Sequence, residues 1–357
     1  MRRFLLGVGA LILIGTAAVY AFRVPLTLRG FDRVMSQTLG TNRLDGFPEG
    51  LHVALCGAGS PLPDPDRSGP CVAVIAGDRI FLVDTGAGSP RTLARMRLPL
   101  GSIEAVFLTH FHSDHIDGLG EMMMQRWVNG THTTPLPIYG PTGVERVVAG
   151  FNAAYSQDSA YRTAHHGEAT VPRSGAGGAA LPFEAPELGE ARVVLESQGL
   201  RVTAFRVNHD PIDPAIGYRF DYAGRSIVVS GDTIKSANLQ QFAAGADVLV
   251  HEALSQRLVG RMQRAAQSAG RANLAKILLD IQNYHVTPTE VAEIARDAAV
   301  GHLLYYHMVP PLRFAPLADV FLEGVEQIYD GPVTVGTDGT FLMLPAGSDA
   351  IETGSLL

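Results

Sequence analysis

Apolar runs of four to eight residues, bounded by Gly, Pro or Asp, recur along this 357-residue chain and predict buried strands. Leu51–Leu55, Val72–Ala76 and Ile80–Val83 are the first three, the last running into Asp84-Thr85-Gly86. A helix is expected over Ser89–Met96, then a strand, Ala105–Thr109, which delivers the chain into His110. Ile116–Val128 reads as a helix, Leu136–Tyr139 as a strand and Pro141–Asn152 as a helix. Residues 153–190 have no clear period, and the Ala/Gly/Pro-rich part from Val171 to Leu188 reads as a loop or lid. Strands return at Val193–Leu195, Arg201–Val207, Ala215–Tyr222 and Ser226–Val229, and Val248–Val250 ends at His251-Glu252. Pro288–Ala299 predicts a helix with Thr287 as its N-cap. Leu303–Tyr306 ends at His307, Val333–Leu344 closes the fold, and residues 346–357 read as a frayed tail. Strands alternating with helices favour an α/β class, with one domain over 51–345.

The N-terminus is a separate object. Arg2 and Arg3 precede an uncharged run of nineteen residues, Phe4 to Phe22, and Arg23 closes it. As a helix such a run just spans a hydrocarbon core of about 30 Å. Val19-Tyr20-Ala21 offers a small-residue cleavage site, so residues 1–23 read as a signal anchor or a signal peptide. Flanking charges put the remainder outside the cytoplasm. The expectation is a domain anchored in the inner membrane and facing the periplasm, or one that is periplasmic or secreted. Residues 24–50 read as a linker and a short helix.

Charge and cysteine content narrow the partners. Removing Arg2, Arg3 and Arg23 from 28 basic residues leaves 25 against 35 acidic ones, a net charge of −10. That sign opposes a surface tracking nucleic-acid phosphates, although a local basic groove stays open. Two cysteines, Cys56 and Cys71, exclude a disulfide framework and a cysteine zinc site. They lie at the ends of two apolar runs that could pair as a hairpin, so both a disulfide and two buried thiols stay open.

The chemistry concentrates at strand ends, where an α/β scaffold gathers polar residues along one edge. His110, His112, Asp114 and His115 form His-x-His-x-Asp-His directly after a strand. Histidines two apart on an extended segment project to one side and can share an ion, while the Asp-His pair turns to a second. Imidazole and carboxylate suit Zn²⁺ and also accept Mn²⁺ or Fe²⁺. His209, Asp232 in Gly231-Asp232-Thr233, and His307 each follow a predicted strand. Together these seven donors suffice for two ions sharing one bridging carboxylate.

The order Asp-Thr-Gly, His-x-His-x-Asp-His, His, Gly-Asp-Thr, His resembles the metallo-β-lactamase superfamily, in its ribonuclease Z and arylsulfatase-like branch. Further marks of that branch are Gly57-Ala58-Gly59-Ser60-Pro61, Tyr139-Gly140-Pro141, Gly217-Tyr218-Arg219, His251-Glu252-Ala253 and His285. The resemblance implies a four-layer αββα sandwich, here preceded by one N-terminal hydrophobic helix, with two Zn²⁺ at one edge of the sheets. It gives one ion His110, His112 and His209, the other Asp114, His115 and His307, with Asp232 bridging. Asp84 would fix the histidine loop by hydrogen bonds. Asp114, His285 and Glu252 would serve catalysis, His285 steered by Glu252 as proton donor to the leaving oxygen. Two ions about 3.5–4 Å apart would acidify a bridging water towards pKa 7.

The substrate expectation leans on what is missing. Relatives that process tRNA carry a long arm between Gly-Tyr-Arg and Gly-Asp-Thr, and here the short stretch Phe220–Ser230 fills that space. The acidic balance adds to this, so nucleic acid is not expected as a partner. A small-molecule ester is expected, phosphodiester or aryl sulfate first. A lactonase, a ribonuclease Z-type RNA 3′ endonuclease and a non-catalytic metal-binding module are the alternatives. The membrane is a partner if residues 1–23 stay attached, and a homodimer is compatible with the branch.

Overall fold

Two sheets carry the predicted strands. The computed structural model describes residues 2–39 and 41–357, without the side chains of residues 2–6, 9–14, 17, 18 and 38. Helix α1 runs Arg2–Leu39, with Pro25 inside it, and belongs to a unit distinct from the compact body at Leu44–Leu357. Residues 24–39 of the stretch 24–50, read as a linker and a short helix, therefore belong to α1. The side chains on which a membrane-spanning reading of residues 1–23 depends lie largely outside those described. Among the described residues no helix is long and apolar enough to cross a membrane.

The first half of the body supplies β1 (Leu51–Gly57), β2 (Cys71–Ala76), β3 (Arg79–Val83), α2 (Ser89–Arg95), β4 (Ile103–Phe107), α3 (Ser113–Ile116), α4 (Leu119–Gly130), β5 (Leu136–Pro141), α5 (Val144–His166) and β6 (Gly178–Phe183). The second supplies β7 (Ala191–Ser197), β8 (Leu200–His209), β9 (Ile212–Tyr222), β10 (Arg225–Val229), α6 (Ala237–Phe242), β11 (Val248–Leu254), α7 (Gln256–Ser268), α8 (Ala272–Asp280), α9 (Pro288–Asp297), β12 (His302–Val309), α10 (Ala315–Leu322) and β13 (Val333–Val335). Strands β14 (Thr340–Met343) and β15 (Glu352–Ser355) return to the first sheet, whose order is β15-β14-β1-β2-β3-β4-β5-β6. The second sheet is β13-β12-β11-β10-β9-β8-β7.

Each sheet begins as antiparallel hairpins and continues as parallel strands, β3 to β6 in one and β10 to β13 in the other. Parallel neighbours need a crossover, and the helices between these strands provide it, covering the outer faces. The strand period of two sorts β1 accordingly. Leu51, Val53 and Leu55 enter the layer between the sheets with Phe107, Phe220 and Tyr306. Ala54 and Cys56 face the other way, under Leu93 and Met122 of α2 and α4. Phe205, Leu249 and Tyr305 leave the second sheet on its far side to meet Leu239 and Ile294 of α6 and α9. The four-layer αββα arrangement expected from the resemblance is thus present.

Several local expectations change. Helix α5 extends fourteen residues past Asn152, to His166, and the stretch read as irregular also contains β6. The helix expected over Ile116–Val128 is two helices separated at Asp117-Gly118. Residues 352–355 form a strand paired to β14 and Leu356 is buried, so the C-terminus is not a frayed tail. Thr287 caps α9 in a full capping box with Glu290, as its position suggested. Cys56 and Cys71 face each other across β1 and β2 with Cα atoms 4.9 Å apart and form a disulfide, the hairpin outcome of the two that were open.

Candidate metal centre

Four strand ends and one strand interior converge. Chain leaving β3 carries Asp84, chain leaving β4 carries His110 to His115, β8 ends on His209, and the turn after β10 carries Asp232. His307 comes from within β12. Between Glu252↔Tyr306 and Ala253↔Met308 the pairing of β11 with β12 slips by one residue, and His307 is the unmatched one, at φ 43°. Tyr306 therefore packs between the sheets and Met308 under the helices, while His307 takes neither face.

The seven sequence-selected donors come together in two groups. His110, His112, His209 and Asp232 each place one ligand atom within 4.8 Å of the others, and Asp114, His115 and His307 do the same. Asp232 lies between the groups. Its Oδ2 is 3.9 Å from His110 Nε2, 3.8 Å from His209 Nε2 and 3.5 Å from His307 Nε2, and its Oδ1 is 3.4 Å from His115 Nε2. His307 Nε2 is also 3.2 Å from Asp114 Oδ2. His115 Nε2, His209 Nε2 and Asp232 Oδ1 are buried without a hydrogen-bond partner among the described residues. Buried polar atoms left so are costly unless a cation joins them. The electrostatics make the same demand. Burial works to lower the His115 pKa, yet Asp232, Asp84 and Asp114 raise it well above the ordinary value. Burial likewise works to raise the Asp232 carboxyl, and His307 and His115 hold it well below the usual carboxylate range. The donor set fits two zinc ions in chemistry and in number.

A surrounding layer of hydrogen bonds aims the imidazoles. Asp84 Oδ1 accepts the Thr109 amide at 2.9 Å, and its Oδ2 accepts the Thr109 hydroxyl at 2.8 Å and lies 2.8 Å from His115 Nδ1. Thr109 Oγ1 in turn stands 3.0 Å from His110 Nδ1, so one carboxylate steers two rings. Tyr284 C=O lies 2.9 Å from His209 Nδ1. In each case the Nδ1 bond leaves Nε2 for an ion. Close backbone approach is needed here too. A Cβ on Gly86 would meet Gly69 C at 2.3 Å and Asp114 O at 2.4 Å, and Gly231, at φ 62°, precedes Asp232.

Glu252 and His285 form a second polar pair beside this cluster. His285 Nδ1 lies 3.1 Å from Glu252 Oε1, an ionic contact rather than a well-aligned hydrogen bond. Glu252 Oε1 also accepts the Thr233 and Val286 amides. Burial works to lower the His285 pKa, but the Glu252 carboxylate raises it to about 9. The His285 ring is 5.3 Å from His209 and 5.7 Å from His307, so its proton sits over the cluster. On the open side, half-buried His112 lines a cavity of about 520 Å³ with Phe111, Arg146 and Ile212.

A model of the beta-lactamase superfamily domain matches residues 79–308. Ribonuclease Z of Mycobacterium sp. (strain KMS) is 38% identical over 270 residues, covering 75% of this chain and 88% of that protein. The chain belongs to the metallo-β-lactamase superfamily, in its ribonuclease Z branch. Ribonuclease Z of Mycobacterium avium (strain 104) is 36% identical over 265 residues, 73% of this chain and 87% of that protein. Solved structures share the fold of this superfamily member. The short form of human tRNase Z has a TM-score of 0.58 at 20% identity, over 82% of this chain and 99% of its own. Zn²⁺-bound PqqB from Methylobacterium extorquens has a TM-score of 0.51 at 16% identity, over 82% of this chain and 100% of its own. This superfamily enzyme is a metal-dependent hydrolase of ester bonds.

The relatives correct the partner expectation. Proteins covered over nearly nine-tenths of their length are ribonucleases, so a small-molecule ester as substrate and the exclusion of nucleic acid do not stand. The arylsulfatase-like element falls with them. Net charge misled because a partner meets a local surface, not a sum over the chain. Sequence reading also missed Thr109 and Tyr284, which act through a backbone amide, a hydroxyl and a carbonyl that no motif advertises. Tyr218 and Arg219, part of the Gly217-Tyr218-Arg219 mark, serve the scaffold. Tyr218 is buried with its hydroxyl donating to Leu108 C=O, and Arg219 binds Asp221 and the end of α6. His52, His132 and His302 are held by structural hydrogen bonds away from the cluster.

Two outcomes test this centre. Asp84→Asn should weaken zinc binding about 10–100-fold, read by chelator competition, because it disorients His115 and His110 together. An unchanged affinity would sink the steering role. Glu252→Gln should lower the His285 pKa of the metal-free protein from about 9, since burial is then opposed by Asp232 without the Glu252 charge, as read by NMR titration. Because the folded-state value is raised, the pair stabilises the fold fully below pH 6.5 and loses that contribution as pH rises through 9.

Proposed function

We propose that this protein is a dinuclear-zinc endonuclease of the ribonuclease Z type, hydrolysing a phosphodiester bond at the 3′ side of a structured RNA. The observation that carries this reading is the 38% identity to ribonuclease Z over 88% of that protein. His110, His112 and His209 would hold one ion, Asp114, His115 and His307 the other, and Asp232 both, with Mn²⁺ or Fe²⁺ as chemically acceptable replacements. The bound ions supply positive charge that acidifies water and offsets charge developing on the phosphate. This chain's own residues do the rest. His285, kept protonated by Glu252, faces the departing alkoxide and gives it a proton. Asp114, the most open of the acidic donors at 15% side-chain exposure, offers an oxygen on the solvent side where the attacking water loses its proton.

Zinc-loaded full-length protein should cleave a pre-tRNA carrying a 3′ trailer, and Asp232→Ala should lower that rate roughly a hundredfold or more. His285→Ala should cost about 10²–10⁴-fold on RNA. On bis(p-nitrophenyl) phosphate, whose leaving group needs no proton, its cost should be far smaller. Turnover of the small diester without any cleavage of RNA by the intact enzyme would overturn the RNA reading, and equal losses on both substrates would overturn the proton-donor role of His285.

We also infer that the domain works outside the cytoplasm. The Cys56–Cys71 bond and the Arg-flanked apolar N-terminal run support this, since disulfides persist in oxidising compartments. In cells lysed under thiol-trapping conditions, both cysteines should resist maleimide until reduced. Free thiols in that assay would refute the placement.

A further inference from the structure

Between Ala253 and Leu279 the chain carries Arg257, Arg261, Arg264, Arg271 and Lys276 and no Asp or Glu, within a protein of net charge −7. These residues form α7 and α8, a helical hairpin inserted between Glu252 and His285. Its two feet are tied together where the Leu254 amide donates to Val286 C=O at 2.8 Å. The hairpin therefore rises from the residues that would handle the leaving-group proton. Arg257 pairs with Glu323, and Lys276 pairs with Asp280 at 2.5 Å. Arg261, Arg264 and Arg271 are exposed and have no carboxylate partner among the described residues.

A cavity of about 440 Å³ lies at the foot of the hairpin. Leu258, Arg261 and Met262 of α7 form one wall, and Pro310, Arg313 and Leu317, just beyond His307, form the other. The lining contains no carboxylate. Arg313 is fixed at the rim by donating to Pro63 C=O at 2.6 Å. Its neighbour Phe314 is 62% exposed, an aromatic side chain open to water. An apolar floor, cations on both rims and an open aromatic ring are the parts that single-stranded nucleic acid requires, the cations for phosphates and the ring for a base.

We propose that this groove between α7 and the segment after β12 binds a single-stranded stretch of RNA next to the bond to be cut, with Arg261 and Arg313 on phosphates and Phe314 stacking a base. The proposal rests on the RNA reading above. An anionic lipid surface is the competing partner, because Ile277 and Leu279 of α8 are also exposed. The concave shape and the cations on both rims favour RNA.

The test uses zinc-loaded full-length protein and a fluorescein-labelled single-stranded RNA 10-mer, with anisotropy measured across a KCl series and strand integrity checked on a gel. Each lost phosphate contact should reduce the slope of log K against log[salt] by ~0.7, so R261Q/R313Q should reduce it by about 1.4. Phe314→Ala should weaken binding roughly tenfold at fixed salt. If the intact enzyme fails to cleave pre-tRNA yet the 10-mer still binds with this arginine-dependent slope, the groove survives and the catalytic reading fails. If pre-tRNA is cleaved but slope and affinity match the parent in all three positions, the groove assignment is wrong. Phosphatidylglycerol vesicles provide the other arm. Co-sedimentation that depends on Arg261 and Arg313, with RNA binding indifferent to them, would replace RNA by membrane.

Discussion

The structure turns on one buried carboxylate. Asp232 is shielded from solvent and touches imidazoles from both donor groups, His115 through one oxygen and His110, His209 and His307 through the other. No single strand could gather these rings. His110 and His115 come from the first sheet, His209, Asp232 and His307 from the second, and the large side chains between the sheets set the distance across which they meet. Phe107, in ring contact with Tyr139, Tyr218 and Phe220, is part of that spacer and immediately precedes the segment leading to the histidine loop. Packing and chemistry are thus one problem here, because a change in sheet separation is a change in donor separation.

What could be read beforehand followed from local periodicity. The strands β1 to β4 announce themselves as short apolar runs, and the histidine loop, Asp232 and Thr287 are legible because their neighbours in sequence are also their neighbours in space. Reading failed where the cause was non-local. His307 looked like a residue after a strand but is an extra residue within one, which only the partner strand reveals. Residues 256–280 have a polar, arginine-rich outer face and belong to no motif, so α7 and α8 were not anticipated. The C-terminal segment looked polar and loose, yet Glu352–Ser355 finds an open ladder on β14.

The error about nucleic acid has the same origin. A net charge averages over surfaces that face different ways, and in this protein the acidic and basic residues are not evenly mixed. The absence of an arm between Gly217-Tyr218-Arg219 and Asp232 is real, for Ala223-Gly224 makes a tight hairpin there. Its absence from one place says nothing about a cationic element built in another.

The unmatched residue in β12 has a mechanical meaning. Since the ladder loses step at the point where His307 leaves it, β12 cannot slide along β11 without dragging an imidazole out of the cluster and exchanging the buried faces of Tyr306 and Met308. Cation binding and strand alignment then become a single event. An occupied centre acts as a rivet through the seam of the second sheet, and an emptied one leaves that seam to its backbone ladder and apolar contacts.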